Sequence, residues 1–431
     1  MLRRKLYKQL VDWKSNTDRM PLVITGAKQV GKTFLIDKFC KESYRQYYYI
    51  DFNEKPNFKD VFSGNLDATT ILKNLTLEIK GFKIEPNETV IVLDEIQSCP
   101  NAIAALKFLA GDERFDIIAS GSLFGINNKE LVSFPVGYAE PLEMHSLDFE
   151  EFCWANGLSD YGFSVVRDYF VNKEPMPTSG HNRMFSLFKE YMVVGGMPRV
   201  VNDFVKNHNF ENVLKMQRAI IEGYKDDIAM WAQGSEKMKV RNCFLSIPKQ
   251  LAKDYKKFQY SVVEKGGTAR KFAKSLMWLY DAGITNFCYN LSLLELPLEA
   301  NSKNSEFKVY IRDTGLLVAM LEDGAQASII KGNLGIYKGA VYENIIADIF
   351  TKQGKKLYYF EKPNGLEVDF IIKYDGNIAG VAAKSGDNKR AKSINSLVGH
   401  WGASKGIKLT YGNVSIDGKI DTLPIYMVMF L

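Results

Sequence analysis

Gly26-Ala27-Lys28-Gln29-Val30-Gly31-Lys32-Thr33 fits the pattern G-x-x-x-x-G-K-[ST] at every fixed position. Just before it, Pro21-Leu22-Val23-Ile24-Thr25 has the marks of a short buried strand, apolar and bounded by Pro and Gly. Just after it, Thr33-Phe34-Leu35-Ile36-Asp37-Lys38-Phe39 opens a helix. Each fixed residue has a chemical task in this strand–turn–helix context. Gly26 and Gly31 let the backbone curl closely around phosphate oxygens. The loop N–H groups, from Ala27, Lys28, Gln29 and Val30 onward, then point inward, and the helix N-terminus adds partial positive charge. Lys32 reaches the β- and γ-phosphates, and Thr33 supplies a hydroxyl ligand to Mg²⁺. Residues 26–33 therefore predict a P-loop for a nucleoside triphosphate, ATP with Mg²⁺.

Working outward, Tyr47-Tyr48-Tyr49-Ile50-Asp51-Phe52, Thr89-Val90-Ile91-Val92-Leu93-Asp94 and Phe115-Asp116-Ile117-Ile118-Ala119-Ser120 suggest three further strands, with helical patterns between them. Strands alternating with helices predict an α/β fold with a parallel sheet covered on both faces. The third strand ends in Asp94-Glu95. Asp94 is placed to hold Mg²⁺ through water, and Glu95 to polarise the attacking water. Ser120-Gly121-Ser122 ends the next strand. Ser120, which closes the apolar run, is the better candidate of the two hydroxyls for sensing the γ-phosphate.

The chain has 431 residues, which at roughly 100–200 residues per domain suggests two to four domains. No stretch is apolar for the ~18 residues of a membrane span. The basic start Met1-Leu2-Arg3-Arg4-Lys5-Leu6 lacks the apolar segment of a secretory signal. Five cysteines, Cys40, Cys99, Cys153, Cys243 and Cys288, are odd in number and scattered, which argues against a disulfide framework or a zinc site. A reducing, cytoplasmic location is the simple reading. The net charge of +6 permits nucleic-acid contact without demanding it.

After about residue 140 the pattern changes. Residues 149–230 are mostly helical, broken at Glu174–Gly180 and at Val193-Val194-Gly195-Gly196-Met197-Pro198. Residues 240–320 suggest three helices and then two paired strands, Ile284–Asn290 and Phe307–Ile311, an order that suits a winged helix. From Gly339 the order is helix, three strands, helix, with a hairpin turn at Asp375-Gly376-Asn377. The expected division is a P-loop ATPase domain over 1–150, a helical segment over 151–235, a winged-helix-like domain over 236–330 and a C-terminal domain over 331–431.

Helix-borne Glu343, strand-borne Asp369 and strand-ending Lys384 resemble the active-site layout of the PD-(D/E)xK nuclease fold, an α/β restriction-endonuclease-like domain. In that layout carboxylates bind Mg²⁺ and the lysine orients or activates water for phosphodiester cleavage. The fold normally requires a carboxylate two residues before the lysine, where this chain has Ala382. Ala382 offers Mg²⁺ no side-chain oxygen, so cleavage by this domain is not expected.

Taken in order, GAKQVGKT, Leu93-Asp94-Glu95-Ile96-Gln97, Ala119-Ser120-Gly121-Ser122, Pro141-Leu142 with Leu147-Asp148-Phe149-Glu150-Glu151-Phe152, Gly195-Gly196-Met197-Pro198 and Gly365-Leu366-Glu367-Val368-Asp369-Phe370 span nearly the whole chain. In that order they resemble the prokaryotic AAA+-like ATPases that carry a C-terminal domain of unknown function 4143. The resemblance implies an ATPase core, a winged-helix-like middle and a nuclease-like C-terminal domain; relatives often form rings. The family often has Gly-Arg shortly before its Pro-Leu segment, where this chain has Gly137-Tyr138. Arg114 and Arg199 remain as candidate fingers. The family usually has Glu at the position of Ala382.

Two functions compete. One is an ATP-driven machine on nucleic acid, DNA favoured. Its contact would run through the basic stretch of Lys249, Lys253, Lys256, Lys257, Lys265, Arg270, Lys271 and Lys274, with Tyr255, Phe258 and Tyr260 interleaved. The other is an ATP-dependent switch binding a protein partner, with the winged helix as the interaction module.

Overall fold

The structure is a computed structural model that describes residues 2–121, 137–231, 234, 236–253, 256–332, 338–363, 365–383 and 388–431. The described residues form two compact units, one from those within 3–146 with 281–283, the other from those within 147–280 and 284–431 with residue 2. No helix among the described residues is long and apolar enough to cross a membrane.

In the first unit the strands are β1 (Leu22–Thr25), β2 (Gln46–Asp51), β3 (Thr89–Asp94), β4 (Asp116–Gly121) and β5 (Glu140–Glu143). They form one sheet in the order β2-β3-β4-β1-β5, and every pairing is parallel. Four of these strands fall within a residue of the expected ones. The fifth, Glu-Pro-Leu-Glu, lacks an apolar run because it lies at the sheet edge, where Pro141 is tolerated.

Helices α1 (Leu6–Ser15), α2 (Lys32–Ser43), α3 (Ala68–Glu78) and α4 (Pro100–Leu109) cover both faces of the sheet. Alternate strand residues point to opposite faces. Val23, Ile91, Leu93 and Ala119 therefore pack with Leu75 of α3 and Leu106 of α4. Leu22, Ile24, Val92 and Ile118 pack with Leu10 of α1 and Phe39 of α2. This three-layer core holds the C-terminal ends of β1, β3 and β4 side by side, and the predicted phosphate residues lie there.

The second unit opens with a capping box: Asp148 Oδ1 accepts from Glu151 N at 2.8 Å, and Glu151 Oε2 accepts from Asp148 N at 3.2 Å. Helices Phe149–Ala155, Asp160–Asn172, Thr178–Val194, Pro198–Asn207, Phe210–Trp231, Glu236–Leu251 and Ala269–Asp281 follow. The chain then builds β6 (Thr285–Leu291), β7 (Ser302–Ile311), helix Lys338–Lys352, β8 (Leu357–Glu361), β9 (Glu367–Tyr374), β10 (Asn377–Ala383), helix Asn388–His400, β11 (Lys405–Thr410), β12 (Ser415–Asp417) and β13 (Ile420–Pro424).

These strands make a single eight-stranded sheet, ordered β12-β13-β11-β10-β9-β8-β6-β7. The turn at Asp375-Gly376 forms as its sequence implies, with positive φ at both residues and Tyr374 paired with Asn377. The hairpin β6–β7 does not stand in a separate body ending at 330. Its strand β6 pairs in parallel with β8, so the segments 236–330 and 331–431 share one sheet. An isolated two-stranded hairpin leaves open edges; pairing with β8 satisfies one of them.

Candidate nucleotide site

The loop between β1 and α2 is held from behind. Gly26 has φ +151°, and a Cβ there would stand 2.2 Å from the carbonyl oxygen of Met144, the residue after β5. Only glycine permits that approach. Arg4 donates to the carbonyls of Val30 at 3.1 Å and His145 at 2.6 Å, so it ties the loop to the same segment. Gly31, at φ +95°, turns the chain into α2.

Lys32 is buried and folds back on the loop, donating from Nζ to the carbonyls of Gly26 and Ala27, both at 3.0 Å. Burial pushes its ammonium below the ordinary lysine pKa, while Glu95 and Asp94 pull the other way.

Asp94 is the hub of the site. Its Oδ2 accepts from Thr33 Oγ1 at 2.9 Å and from Tyr49 Oη; its Oδ1 accepts from Ser120 Oγ and from the Glu95 backbone N–H at 2.9 Å. The pairing of Asp51 with Asp94 and of Leu93 with Ala119 places β2, β3 and β4 so that these groups meet. Thr33, Asp94, Glu95 and Ser120, expected together from the sequence, do lie together, and Ser120 engages Asp94 directly. Ser122 and Lys384 lie outside the described residues.

Tyr49, Arg4 and Gln97 are additions that the sequence reading did not single out. Glu95 takes a left-handed backbone, φ +52°, and its Oε2 accepts from Gln97 Nε2 at 2.5 Å. Burial, and then the charge of Asp94, raise the Glu95 pKa.

This donor set suits a nucleotide with Mg²⁺. The loop offers N–H groups at a helix start, Lys32 is a buried cation that among the described residues bonds only to carbonyls, and Thr33 and Asp94 bring a hydroxyl and a carboxylate to one point.

Residues 18–153 match the model of an AAA domain, residues 338–426 that of a domain of unknown function, DUF4143, and residues 185–327 that of another, DUF8612. The chain carries an AAA domain followed by a DUF4143 domain. No curated protein matches. Among solved structures, the Walker-type ATPase PABY2304 of Pyrococcus abyssi is 12% identical, covers 74% of this chain and 96% of its own, and gives a TM-score of 0.42. The Aeropyrum pernix ORC1 protein in complex with DNA is 11% identical over 77% of this chain and 91% of its own, with a TM-score of 0.29. A Thermotoga maritima RuvB variant is 13% identical over 66% and 89%, with a TM-score of 0.31.

In the AAA domain the candidate finger Arg114 pairs with Asp112 at 2.6 Å. Arg199 is the second residue of helix Pro198–Asn207.

In the DUF4143 domain Glu343 and Asp369 are both buried. Glu343 lies 2.5 Å from the buried ammonium of Lys256 and 3.7 Å from that of Lys308, and it accepts from Tyr310 Oη at 3.1 Å. Lys308 also meets Glu367 at 2.8 Å. Burial alone would lower the Lys308 pKa; Glu343, Glu367 and Asp369 reverse that and hold it above the lysine range. Asp369 Oδ2 accepts from the backbone N–H of Ala383 at 2.9 Å, and Ala382 is buried in an apolar cluster with Ile394 and Leu397.

Lysine ammoniums thus stand against the carboxylate where the nuclease resemblance would have a metal. Lys256, expected on a basic face, points inward, and Lys257 and Lys271 face Glu306 at 3.8 Å and Glu264 at 2.6 Å.

Proposed function

We propose that the chain is a Mg²⁺-dependent ATPase that couples hydrolysis to contact with nucleic acid, DNA in the first place. The observation that carries the ATPase part is the convergence of Thr33, Ser120 and the Glu95 backbone N–H on Asp94, with the buried ammonium of Lys32 held in the adjoining loop. In the reaction a water oxygen bonds to the γ-phosphorus while Glu95 takes the water's proton. The bond from that phosphorus to the β–γ bridging oxygen breaks, and ADP leaves with the electron pair. Lys32 and the loop N–H groups hold the phosphates, and Thr33 and Asp94 would hold Mg²⁺, which would neutralise phosphate charge when bound.

Tyr49 holds Asp94 from the side remote in sequence. Tyr49→Phe keeps the ring and removes the donor. Loss of such an outer partner costs about 10–100-fold in metal affinity. The Mg²⁺ concentration for half-maximal ATPase activity is therefore expected to rise about tenfold. An unchanged Mg²⁺ titration would remove Tyr49 from the metal site.

The nucleic-acid part is supported by the exposed side chains of Lys265, Arg270 and Lys274 beside and on the helix Ala269–Asp281. The pairing of Lys256, Lys257 and Lys271 with acids favours a second reading, an ATP-dependent switch with a protein partner. On either reading the DUF4143 domain is nuclease-like and does not cut, since Lys256 and Lys308 face its helix-borne carboxylate and Ala382 brings none.

ATPase assays with single-stranded DNA, double-stranded DNA, RNA and no nucleic acid separate the two. The first reading expects stimulation that weakens steeply with salt, because phosphate contacts release counterions. A rate indifferent to all three polymers would leave the protein-partner switch. Mg²⁺-dependent strand cleavage in the same tubes would overturn the reading of the DUF4143 domain.

A further inference from the structure

Gln97 sits in the short turn Ile96–Ser98 that follows Glu95, and its side chain is 6% exposed. Its two amide atoms are in unequal positions. Nε2 donates to Glu95 Oε2 at 2.5 Å. Oε1 is fully buried and has no hydrogen-bond partner among the described residues. The reverse orientation of the amide would set its oxygen against the Glu95 carboxylate, so charge fixes which atom faces which way.

The space around Oε1 is specific as well. It lies beside Gly121 at the end of β4, next to Ser120; a Cβ at 121 would stand 2.3 Å from it. A buried acceptor without a donor costs about 1–3 kcal/mol. Such orphans in folded proteins call for a missing partner. The partner must be a donor, must be small and must fit next to Glu95.

We propose that Gln97 is a positioning residue for the attacking water: its amide nitrogen holds the Glu95 carboxylate and its amide oxygen accepts one hydrogen of the water whose other hydrogen Glu95 removes. The water is thereby oriented by two acceptors from one turn, with an oxygen lone pair left to meet the phosphorus. Glu95 keeps its left-handed backbone and its side-chain direction because Gln97 ties it down. This role rests on the hydrolysis reading given above and adds to it the residue that aims the nucleophile.

The test uses the full chain and two variants. Gln97→Met is close in shape and has no amide. Gly121→Ala keeps the glutamine in the chain, but its methyl, 2.3 Å from Oε1, forces the amide to shift. Both are expected to lower kcat by about 10–100-fold, with KM and the affinity for a fluorescent ATP analogue within about twofold of the parent, as for a group that acts on the chemical step. Far-UV circular dichroism and the thermal unfolding midpoint check that each variant is folded. A kcat that is unchanged or higher in folded Gln97→Met would overturn the role, as would a loss confined to ATP affinity. A parent chain that binds ATP without turnover would end both this role and the hydrolysis reading. Parent turnover with a normal Gln97→Met rate would end this role alone.

Discussion

Lys32→Ala is expected to weaken ATP binding by about 100-fold or more. In the structure the Lys32 ammonium is buried and bonded to the carbonyls of Gly26 and Ala27, inside the loop it belongs to. Those bonds to neutral oxygens are replaced on binding by bonds to phosphate, in which both partners are charged. Hydrogen bonds to charged groups contribute about 1.5–3 kcal/mol each. Two such bonds, at 1.4 kcal/mol per tenfold in affinity, give about 10²–10⁴-fold.

The fold should survive the change. Among the described residues the lysine side chain bonds only to its own loop, and removing a buried charge relieves the desolvation that already depresses its pKa. A titration with a fluorescent ATP analogue, read beside the far-UV circular dichroism of the same sample, checks the expectation. Retention of affinity within about tenfold would place the phosphates elsewhere than residues 26–33.

The parts of the site that could be read from the sequence are those fixed by local chemistry. A glycine pair, a lysine and a threonine at set spacing announce a phosphate loop because the loop is built from consecutive residues. Asp94 and Glu95 were legible because an apolar run ending in two carboxylates has few uses at a strand end. Tyr49 was not legible in Tyr47-Tyr48-Tyr49, since its reach to Asp94 depends on the parallel pairing of β2 with β3, Tyr49 beside Val92. Gln97 in sequence is one letter of the motif Leu93-Asp94-Glu95-Ile96-Gln97; that one amide atom is tied and the other orphaned depends on its place beside Gly121, some two dozen residues away on β4.

The same limit explains the second unit. Periodicity found the strands at 285–291 and 367–374, but it says nothing about which edge meets which. The union of the hairpin with the C-terminal strands therefore appears only in the fold. The lysines between 249 and 274 carry the same warning. A lysine is usually solvated, so Lys256 was counted with its neighbours as part of a basic face. Its burial against Glu343 is set by the helix Lys338–Lys352, nearly ninety positions away. The basic stretch at the surface is therefore shorter by Lys256 than its sequence suggests.

Lys308→Met is expected to destabilise the second unit by about 3–5 kcal/mol, the usual cost of removing one partner of a buried ion pair. Lys308 is 1% exposed and lies between Glu343 and Glu367, with Tyr359 beneath its ammonium at 4.7 Å. Without it Glu343, itself fully buried, keeps Lys256 and Tyr310 but loses a cation that Asp369 also feels. Charge-balanced replacement, Lys308→Met with Glu343→Gln, is expected to cost less than Lys308→Met alone, because the single change adds a net negative charge to the cluster of Glu343, Glu367 and Asp369 and the second change removes it. Urea unfolding followed by a probe in the second unit measures both.

The comparison also separates two descriptions of the DUF4143 domain. If the lysines are the permanent counter-ions of these carboxylates, millimolar Mg²⁺ leaves the parent's unfolding midpoint where it was, since a ligand stabilises only the state it binds. If instead the cluster is a metal site at rest, Mg²⁺ raises the midpoint, and Lys308→Met, by removing a competing cation, raises it further. The second outcome would return the domain to the list of candidate nucleases in spite of Ala382. The first would make the ion cluster a structural element that holds the helix Lys338–Lys352 to the sheet.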